Sequence, residues 1–124
     1  MGDLSAHFSR SEFACKCCGQ VITISPALLE VLEDIREFSG IPIIITSGYR
    51  CPEHNAASGG KPNSAHLTGE AADFWVSGDL DRFKFLEAAF TYGAGRIGIG
   101  SDFIHVDVSH TLPQQVCWLY GAGE

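Results

Sequence analysis

The chain has 124 residues, of which 45% are hydrophobic and 19% charged, and its formal net charge at pH 7 is -7. A chain of this length forms one domain and buries roughly two-thirds of its unfolded surface, so it needs no metal or disulfide merely to fold. The acidic balance argues against a nucleic-acid partner, and the longest apolar runs are far too short to be inserted in a membrane.

The N-terminal segment combines a capped turn with three of the five cysteines. Residues 8–13 predict a helical turn with Ser9 as N-cap and Glu12 three residues later. Residues 1–10 lack a basic stretch followed by an apolar one, so we expect no secretory signal and synthesis in the cytoplasm.

Two helices are predicted farther along the chain. Ser25 caps the first, which Pro26 begins and Gly40 ends. One face of this helix is apolar and contains Leu28, Leu29, Leu32, Ile35 and Phe38. Asp79 is the expected cap of the second helix, whose inner face is predicted to consist of Phe83, Leu86 and Phe90.

Short β-branched or apolar runs predict strands over residues 41–46, 71–76, 95–100 and 103–108, and the tail from residue 111 leaves room for one short edge strand. Together these elements predict an α+β fold. It is a small single domain over residues 1–124, with a central antiparallel sheet, two or three helices, and residues 1–24 packed against it as a cysteine-containing segment. Residues 47–69 show no periodicity, and a structureless loop of that length is most often functional.

Three residues of this loop and the strands suit a metal. His66 lies in the loop, and Asp73 and His105 lie in otherwise apolar strands, where a buried carboxylate needs a cation or hydrogen-bond donors. Two imidazoles and one carboxylate are typical of catalytic zinc. The spacing alone favours a loop histidine and a surface aspartate; the apolar context favours one zinc ion, in a cleft on the sheet.

Residues 64–73 read Ser-Ala-His-Leu-Thr-Gly-Glu-Ala-Ala-Asp and fit the pattern Ser-x-His-x-x-Gly-x-Ala-x-Asp at every fixed position. In this the chain resembles the M15 family of zinc peptidases, which includes D-Ala-D-Ala carboxypeptidases and dipeptidases and phage L-Ala-D-Glu endopeptidases. Ser-Gly-Tyr-Arg at 47–50 and Phe-Ile-His-Val-Asp at 103–107 follow the family in the same order. The similarity runs from about residue 8 to residue 107 and is closest to the small phage and bacterial branch.

The resemblance implies that His66, Asp73 and His105 bind zinc. It also implies that Asp102, three residues before the second histidine, is the general base that takes a proton from the attacking water. Asp102 is equally suited to be a simple turn residue after Gly-Ser. In some branches of the family the base is a Glu, so the shorter side chain implies a different reach.

Three further residues have implied or expected roles. By resemblance, Arg50 binds the substrate carbonyl or carboxylate and stabilises the developing oxyanion; the alternative is a structural pair with an acidic loop residue. Ser64 either binds substrate or shapes the loop. Asp107 points to the same face of its strand as His105, so we expect it to orient that ligand.

The cysteines leave more than one interpretation open. Cys15, Cys17 and Cys18 could form part of a second, structural zinc site that Cys51 or Cys117 completes. We expect instead buried thiols, or one bridge such as Cys51 to Cys117.

The predicted function is therefore zinc-dependent hydrolysis of peptide bonds in bacterial peptidoglycan stem peptides, as a D,D-carboxypeptidase or an endopeptidase. We expect a monomer that acts on the cell wall, with phage-mediated release as one route to it. Two alternatives stay open: a non-catalytic, zinc-stabilised module that binds wall peptide or protein, and a zinc-knuckle adaptor with two zinc ions per chain.

Overall fold

The computed structural model describes residues 2–121, which form a small α+β domain of three helices and one five-stranded sheet. The helices are α1 (Pro26–Ser39), α2 (Pro52–Ala57) and α3 (Gly78–Thr91), with short 3-10 helices at Arg10–Phe13 and Ala65–Thr68. The strands are β1 (Ile45–Ser47), β2 (Ala71–Trp75), β3 (Arg96–Ile99), β4 (Phe103–Asp107) and β5 (Val116–Leu119). The predicted α+β class is confirmed. No helix within residues 2–121 has the length and apolar character that crossing a bilayer requires.

The strands are ordered β1-β2-β4-β3-β5 across the sheet. Neighbouring strands are antiparallel, as predicted, except that β5 runs parallel to β3. The sheet is therefore mixed. The chain reverses once after β4 and crosses the beginning of β3 before it enters β5, so β5 has the direction of β3.

Alternation along the strands gives the sheet two different faces. On one face, Phe74 and its neighbours pack against α1 and α3 and form the hydrophobic core; the sheet contributes Ala72, Phe74, Ile97, Ile104 and Val106 to it. Asp73 and His105 point to the opposite face, which we call the site face. The core therefore fixes the sheet from one side and leaves the other side for polar residues.

Helix α1 follows its sequence signals closely. The Ser25 hydroxyl accepts a hydrogen bond from the Leu28 N–H at 3.3 Å, and Gly40 ends the helix with a φ of 70°. The buried residues of its inner face are Leu28, Leu32 and Ile35. The predicted cap, start and end of α1 are confirmed.

Helix α3 differs from its prediction in its cap and its inner face. Its N-cap is Ser77 rather than Asp79, and its buried residues are Phe85, Ala88 and Ala89. The predicted inner-face residues Phe83 and Phe90 are 68% and 59% exposed. The ring of Phe85 packs edge-on against the ring of Phe74, with the ring centroids 5.0 Å apart, and Ala88 and Ala89 lie on the same buried face of the helix. The predicted face was therefore wrong: the buried face contains Phe85 and the two alanines, and Phe83 and Phe90 lie outside it.

Two other predictions need correction. The first strand begins at Ile45 rather than at residue 41. Pro42 lacks the N–H that a ladder needs, which explains why the strand does not reach the start of the predicted range. The segment predicted to be structureless contains α2, which Pro52 begins, and the 3-10 helix Ala65–Thr68. The expected edge strand in the tail is present as β5.

We expect Phe85→Ala to lower the free energy of unfolding by about 3–5 kcal/mol, because it removes a fully buried ring from the core. The matched change Phe83→Ala, on the exposed face of α3, should alter it by no more than about 0.5 kcal/mol. Urea denaturation of both variants measures the difference. Equal losses would mean that the assignment of the buried face of α3 is wrong.

Candidate metal centre

Three side chains meet on the site face of the sheet. His66, Asp73 and His105 are all buried, and one potential ligand atom from each lies within 4.8 Å of the other two. Oδ1 of Asp73 is 2.8 Å from Nδ1 of His105 and 3.3 Å from Nε2 of His66. The three residues singled out in the sequence are thus brought together.

The sheet register fixes two of these residues. Asp73 on β2 and His105 on β4 are direct cross-strand partners, so their side chains leave the sheet side by side. The third residue, His66, lies in the 3-10 helix Ala65–Thr68, which precedes β2 in the chain. The Ser64 hydroxyl accepts a hydrogen bond from the His66 N–H at 3.2 Å, and Gly69 ends the turn with a φ of 73°. Ser64 therefore shapes the turn that carries His66; a contact with substrate stays a prediction.

Gly69 admits no side chain at this turn. A Cβ there would lie 2.6 Å from the carbonyl oxygen of Thr23. The Gly69 carbonyl also accepts a hydrogen bond from the Ser25 N–H at 2.9 Å, which ties the turn to the start of α1. The glycine of the sequence pattern is thus explained by its positive φ and by close packing.

Each histidine has one ring nitrogen fixed by the protein. Nδ1 of His66 donates to the carbonyl oxygen of Gly48 at 2.7 Å, so Nε2, which lies towards Asp73, is the atom that could bind a metal. Nε2 of His105 is 2.7 Å from Oδ2 of Asp107, which leaves Nδ1 facing Asp73. Asp107 is buried and pairs with Nε of Arg96 at 2.8 Å. Asp107 thus lies where an orienting residue is expected.

The charges of the centre are strongly coupled. Burial raises the pKa of Asp73, but hydrogen bonds from His105 and His66 outweigh burial and hold that pKa well below its usual range. Burial lowers the pKa of His105, yet Asp107 and Asp73 outweigh it and raise the pKa above its usual value. The pKa of Asp107 is lowered against its burial by His105 and Arg96. The carboxylates of Asp73 and Asp107 therefore contact opposite ring nitrogens of His105, and their negative charge favours a cation at this position.

These residues fit zinc. The donor set is two imidazoles and one carboxylate, which catalytic zinc sites use while a fourth position remains for water or substrate. Both imidazoles bind a protein acceptor through their other nitrogen, as ligating histidines usually do. The group can hold a metal ion. The predicted cleft around it stays a prediction.

Arg50 lies at the edge of the centre. Its Nη2 is 3.5 Å from Oδ2 of Asp73, while its Nε donates to the Ser47 hydroxyl at 3.2 Å and its Nη1 to Oδ1 of Asn55 at 3.4 Å. Its partner is thus a candidate metal ligand rather than an acidic loop residue. A role towards substrate stays a prediction.

Asp102 lies in the turn between β3 and β4 and is exposed. Its carbonyl oxygen accepts from the Val76 N–H at 2.8 Å, and within residues 2–121 no group is hydrogen-bonded to its carboxylate. Because it precedes β4, strand alternation does not set the direction of its side chain. Its assignment as the base stays a prediction.

Sequence reasoning missed an aromatic wall beside the centre. The ring of Trp118 is centred 5.4 Å from that of His105, and the Arg96 guanidinium lies 5.0 Å from the Trp118 ring. Tyr120 adjoins Trp118, and burial, aided by the charge of Asp73, raises the pKa of Tyr120 to about 12. The alternation of Trp118 and Tyr120 could have indicated two aromatic side chains on one face of a strand. The sequence, however, predicted only a short edge strand somewhere after residue 111.

Comparison with known proteins gives one family. A family model described as Peptidase M15 matches residues 6–107. The chain belongs to the peptidase M15 family. A search of curated proteins finds no match. M15 members are zinc peptidases, so this chain is a metallopeptidase by family, and His66, Asp73 and His105 all fall within the matched residues. The aromatic wall lies outside them.

We expect Asp107→Asn to weaken metal binding at the centre by about 10- to 100-fold, since the substitution removes the charge that orients His105. Asp79→Asn, an exposed position on α3, is the control and should bind metal like the unchanged chain. Competition with a chelator measures both affinities. An unchanged affinity in Asp107→Asn would show that His105 needs no such support.

We also expect metal affinity to fall as the pH falls. A proton competes for Nδ1 of His105, so below the raised pKa of His105 the affinity should drop about tenfold per pH unit. The stability of the metal-free chain has the opposite dependence on pH. The contribution of protonated His105 is complete below the pKa of an unfolded histidine and is lost as the pH rises through the raised folded pKa. Chelator competition and thermal unfolding across the range test both, and a pH-independent affinity would contradict the expectation.

Proposed function

We propose that this M15 metallopeptidase hydrolyses peptide bonds in the stem peptides of bacterial peptidoglycan, with zinc held by His66, Asp73 and His105. The observation that carries the proposal is the buried group of these three residues, with the Arg50 guanidinium beside it. A purely structural metal needs neither a free ligand position nor an adjacent cation. The resemblance of residues 64–73 to the family pattern supports the choice of peptidoglycan.

When bound there, zinc supplies a Lewis acid that polarises the substrate carbonyl and lowers the pKa of water. Asp102 takes a proton from the attacking water and passes it to the leaving amine, a role for which an exposed carboxylate without a hydrogen-bond partner is available. Arg50 stabilises the negative charge that develops on the carbonyl oxygen. Its contacts with Ser47 and Asn55 hold the guanidinium in place while one edge faces the centre.

The same arginine bears on which bond is cleaved. A carboxypeptidase needs a cation for the terminal carboxylate of its substrate, and among residues 2–121 Arg50 and Arg96 contact members of the centre or their partners. Arg96 is already engaged by Asp107, the carbonyl oxygen of Pro113 and the ring of Trp118. Arg50 also has partners, but its Nη2 lies 3.5 Å from the candidate ligand Asp73, so Arg50 is the cation we assign to substrate in either mode of cleavage.

We expect Asp102→Asn to lower kcat on purified peptidoglycan by about 10²- to 10⁴-fold while the metal content stays unchanged, because the amide cannot accept a proton. Asp79→Asn serves as the matched control and should keep full activity. Mass analysis of the products identifies the bond: release of a terminal D-alanine indicates a carboxypeptidase, and cleavage within the stem an endopeptidase.

Two results would overturn the proposal or part of it. Full activity in Asp102→Asn would leave Asp102 as a turn residue. A metal-loaded, unchanged chain that binds wall peptides of several chemistries and cleaves none of them would favour the non-catalytic module.

A further inference from the structure

Four of the five cysteines form a second cluster, apart from the histidine centre. Cys15, Cys17 and Cys18 come from the N-terminal segment and Cys51 from the start of α2, and all four sulfur atoms lie within 4.8 Å of one another. Sγ of Cys17 is 3.2 Å from Sγ of Cys51 and 3.7 Å from Sγ of Cys15. Cys117, on the edge strand β5, is not part of the cluster.

The backbone is folded to bring these thiols to one point. The Cys15 N–H donates to the Gln20 carbonyl at 2.7 Å and the Gly19 N–H donates to the Cys15 carbonyl at 2.8 Å, which closes a tight loop. Gly19 has a φ of 73°, so this loop turns where glycine is favoured. The loop thus brings the thiols of Cys15, Cys17 and Cys18 close to the thiol of Cys51.

Backbone N–H groups also point at the sulfur atoms. The Cys51 N–H donates to Sγ of Cys15 at 3.4 Å, and the His54 N–H donates to Sγ of Cys51 at 3.4 Å. Such bonds stabilise negative charge on sulfur. Cys15 and Cys51 are buried, whereas Cys17 and Cys18 are exposed, so the cluster has a fixed inner half and an accessible outer half.

The spacing of the sulfur atoms suits a metal better than a disulfide. In tetrahedral zinc sites the Zn–S distance is about 2.3 Å, which sets neighbouring sulfur atoms about 3.8 Å apart. A disulfide has sulfur atoms about 2.05 Å apart and would use two of the four thiols, leaving two unexplained. Four thiolates without another ligand type are the donor set of structural zinc.

We propose that Cys15, Cys17, Cys18 and Cys51 bind a second zinc ion, which is structural and separate from the histidine centre. The sequence favoured buried thiols or a Cys51–Cys117 bridge. The structure instead places Cys51 among the three N-terminal cysteines.

A zinc ion at this position would fix the start of the segment between β1 and β2, which contains Arg50. Cys51 directly follows Arg50, the Tyr49 N–H donates to the Phe13 carbonyl at 2.8 Å, and the Arg50 N–H donates to the His66 carbonyl at 3.2 Å. The ion therefore joins the N-terminal segment to the loop beside the histidine centre. Only this consequence for Arg50 rests on the proposed function; the metal site itself does not.

The test is metal stoichiometry and cobalt spectroscopy on the full chain, stripped of metal and kept reduced with a phosphine. We expect two Co²⁺ ions per chain and an intense near-ultraviolet thiolate-to-cobalt charge-transfer band. The double variant Cys17→Ser, Cys18→Ser should bind one ion and lose the band; both residues are exposed, so their replacement opens no core cavity. His66→Ala should also bind one ion but keep the band.

Cys117→Ser is the matched control and should keep both ions and the band. One ion without a thiolate band in the unchanged chain would overturn the proposal, as would two ions in the double variant. Loss of the band in Cys117→Ser would overturn the ligand set. Because every readout is metal content or a spectrum, the outcome is independent of whether the chain cleaves peptidoglycan.

Discussion

The direct pairing of Asp73 with His105 across β2 and β4 is the constraint on which the rest of the site depends. Since strand side chains alternate, this register places both residues on the site face while Phe74 and Ile104 enter the core. A shift of this register by one residue would turn a polar residue of one strand into the core and expose its apolar neighbour. The hydrophobic core therefore selects the register, and the register in turn brings together two of the three candidate metal ligands.

Burial of so much charge is tolerated because each charged group has a partner of opposite sign or a hydrogen bond. Asp73 contacts His66, His105 and Arg50, and Asp107 contacts His105 and Arg96. Within residues 2–121 no buried side-chain nitrogen or oxygen lacks a hydrogen-bond partner. An isolated carboxylate at either position would be costly. The chain of contacts from Arg96 through Asp107 to His105 thus fixes the ring whose other nitrogen faces the metal position.

The sequence was most informative where one residue type has one physical use. Ser25 and Pro26 begin a helix, and Gly40 and Gly69 end helical segments with a positive φ. It was least informative where tertiary packing decides. The buried face of α3 contains Phe85, whereas Phe83 and Phe90 are exposed, and three phenylalanines of equal size do not indicate which face of the helix enters the core.

The missed parts of the site have a similar cause. Trp118 reaches His105 only because β5 crosses to the far side of β3 and because Gly98 leaves space; a Cβ on Gly98 would lie 2.7 Å from Nε1 of Trp118. The cysteine cluster was one of two open interpretations, and it depends on a contact between Cys17 and Cys51, residues 34 positions apart. Local patterns predict elements and turns, but neither the edge that a last strand joins nor the partner of a distant thiol follows from spacing.

The segment between β1 and β2 shows why both clusters matter to one site. It contributes few residues to the hydrophobic core, so polar contacts must hold it: Nδ1 of His66 donates to the Gly48 carbonyl, and the Arg50 N–H donates to the His66 carbonyl. Cys51 fixes the segment on one side of Arg50, and His66 fixes it on the other. In the proposed enzyme, a guanidinium misplaced by about 1 Å would cost about 100-fold in rate. Metal ligation at Cys51 and at His66 would then hold the segment on both sides of Arg50, where the hydrophobic core does not.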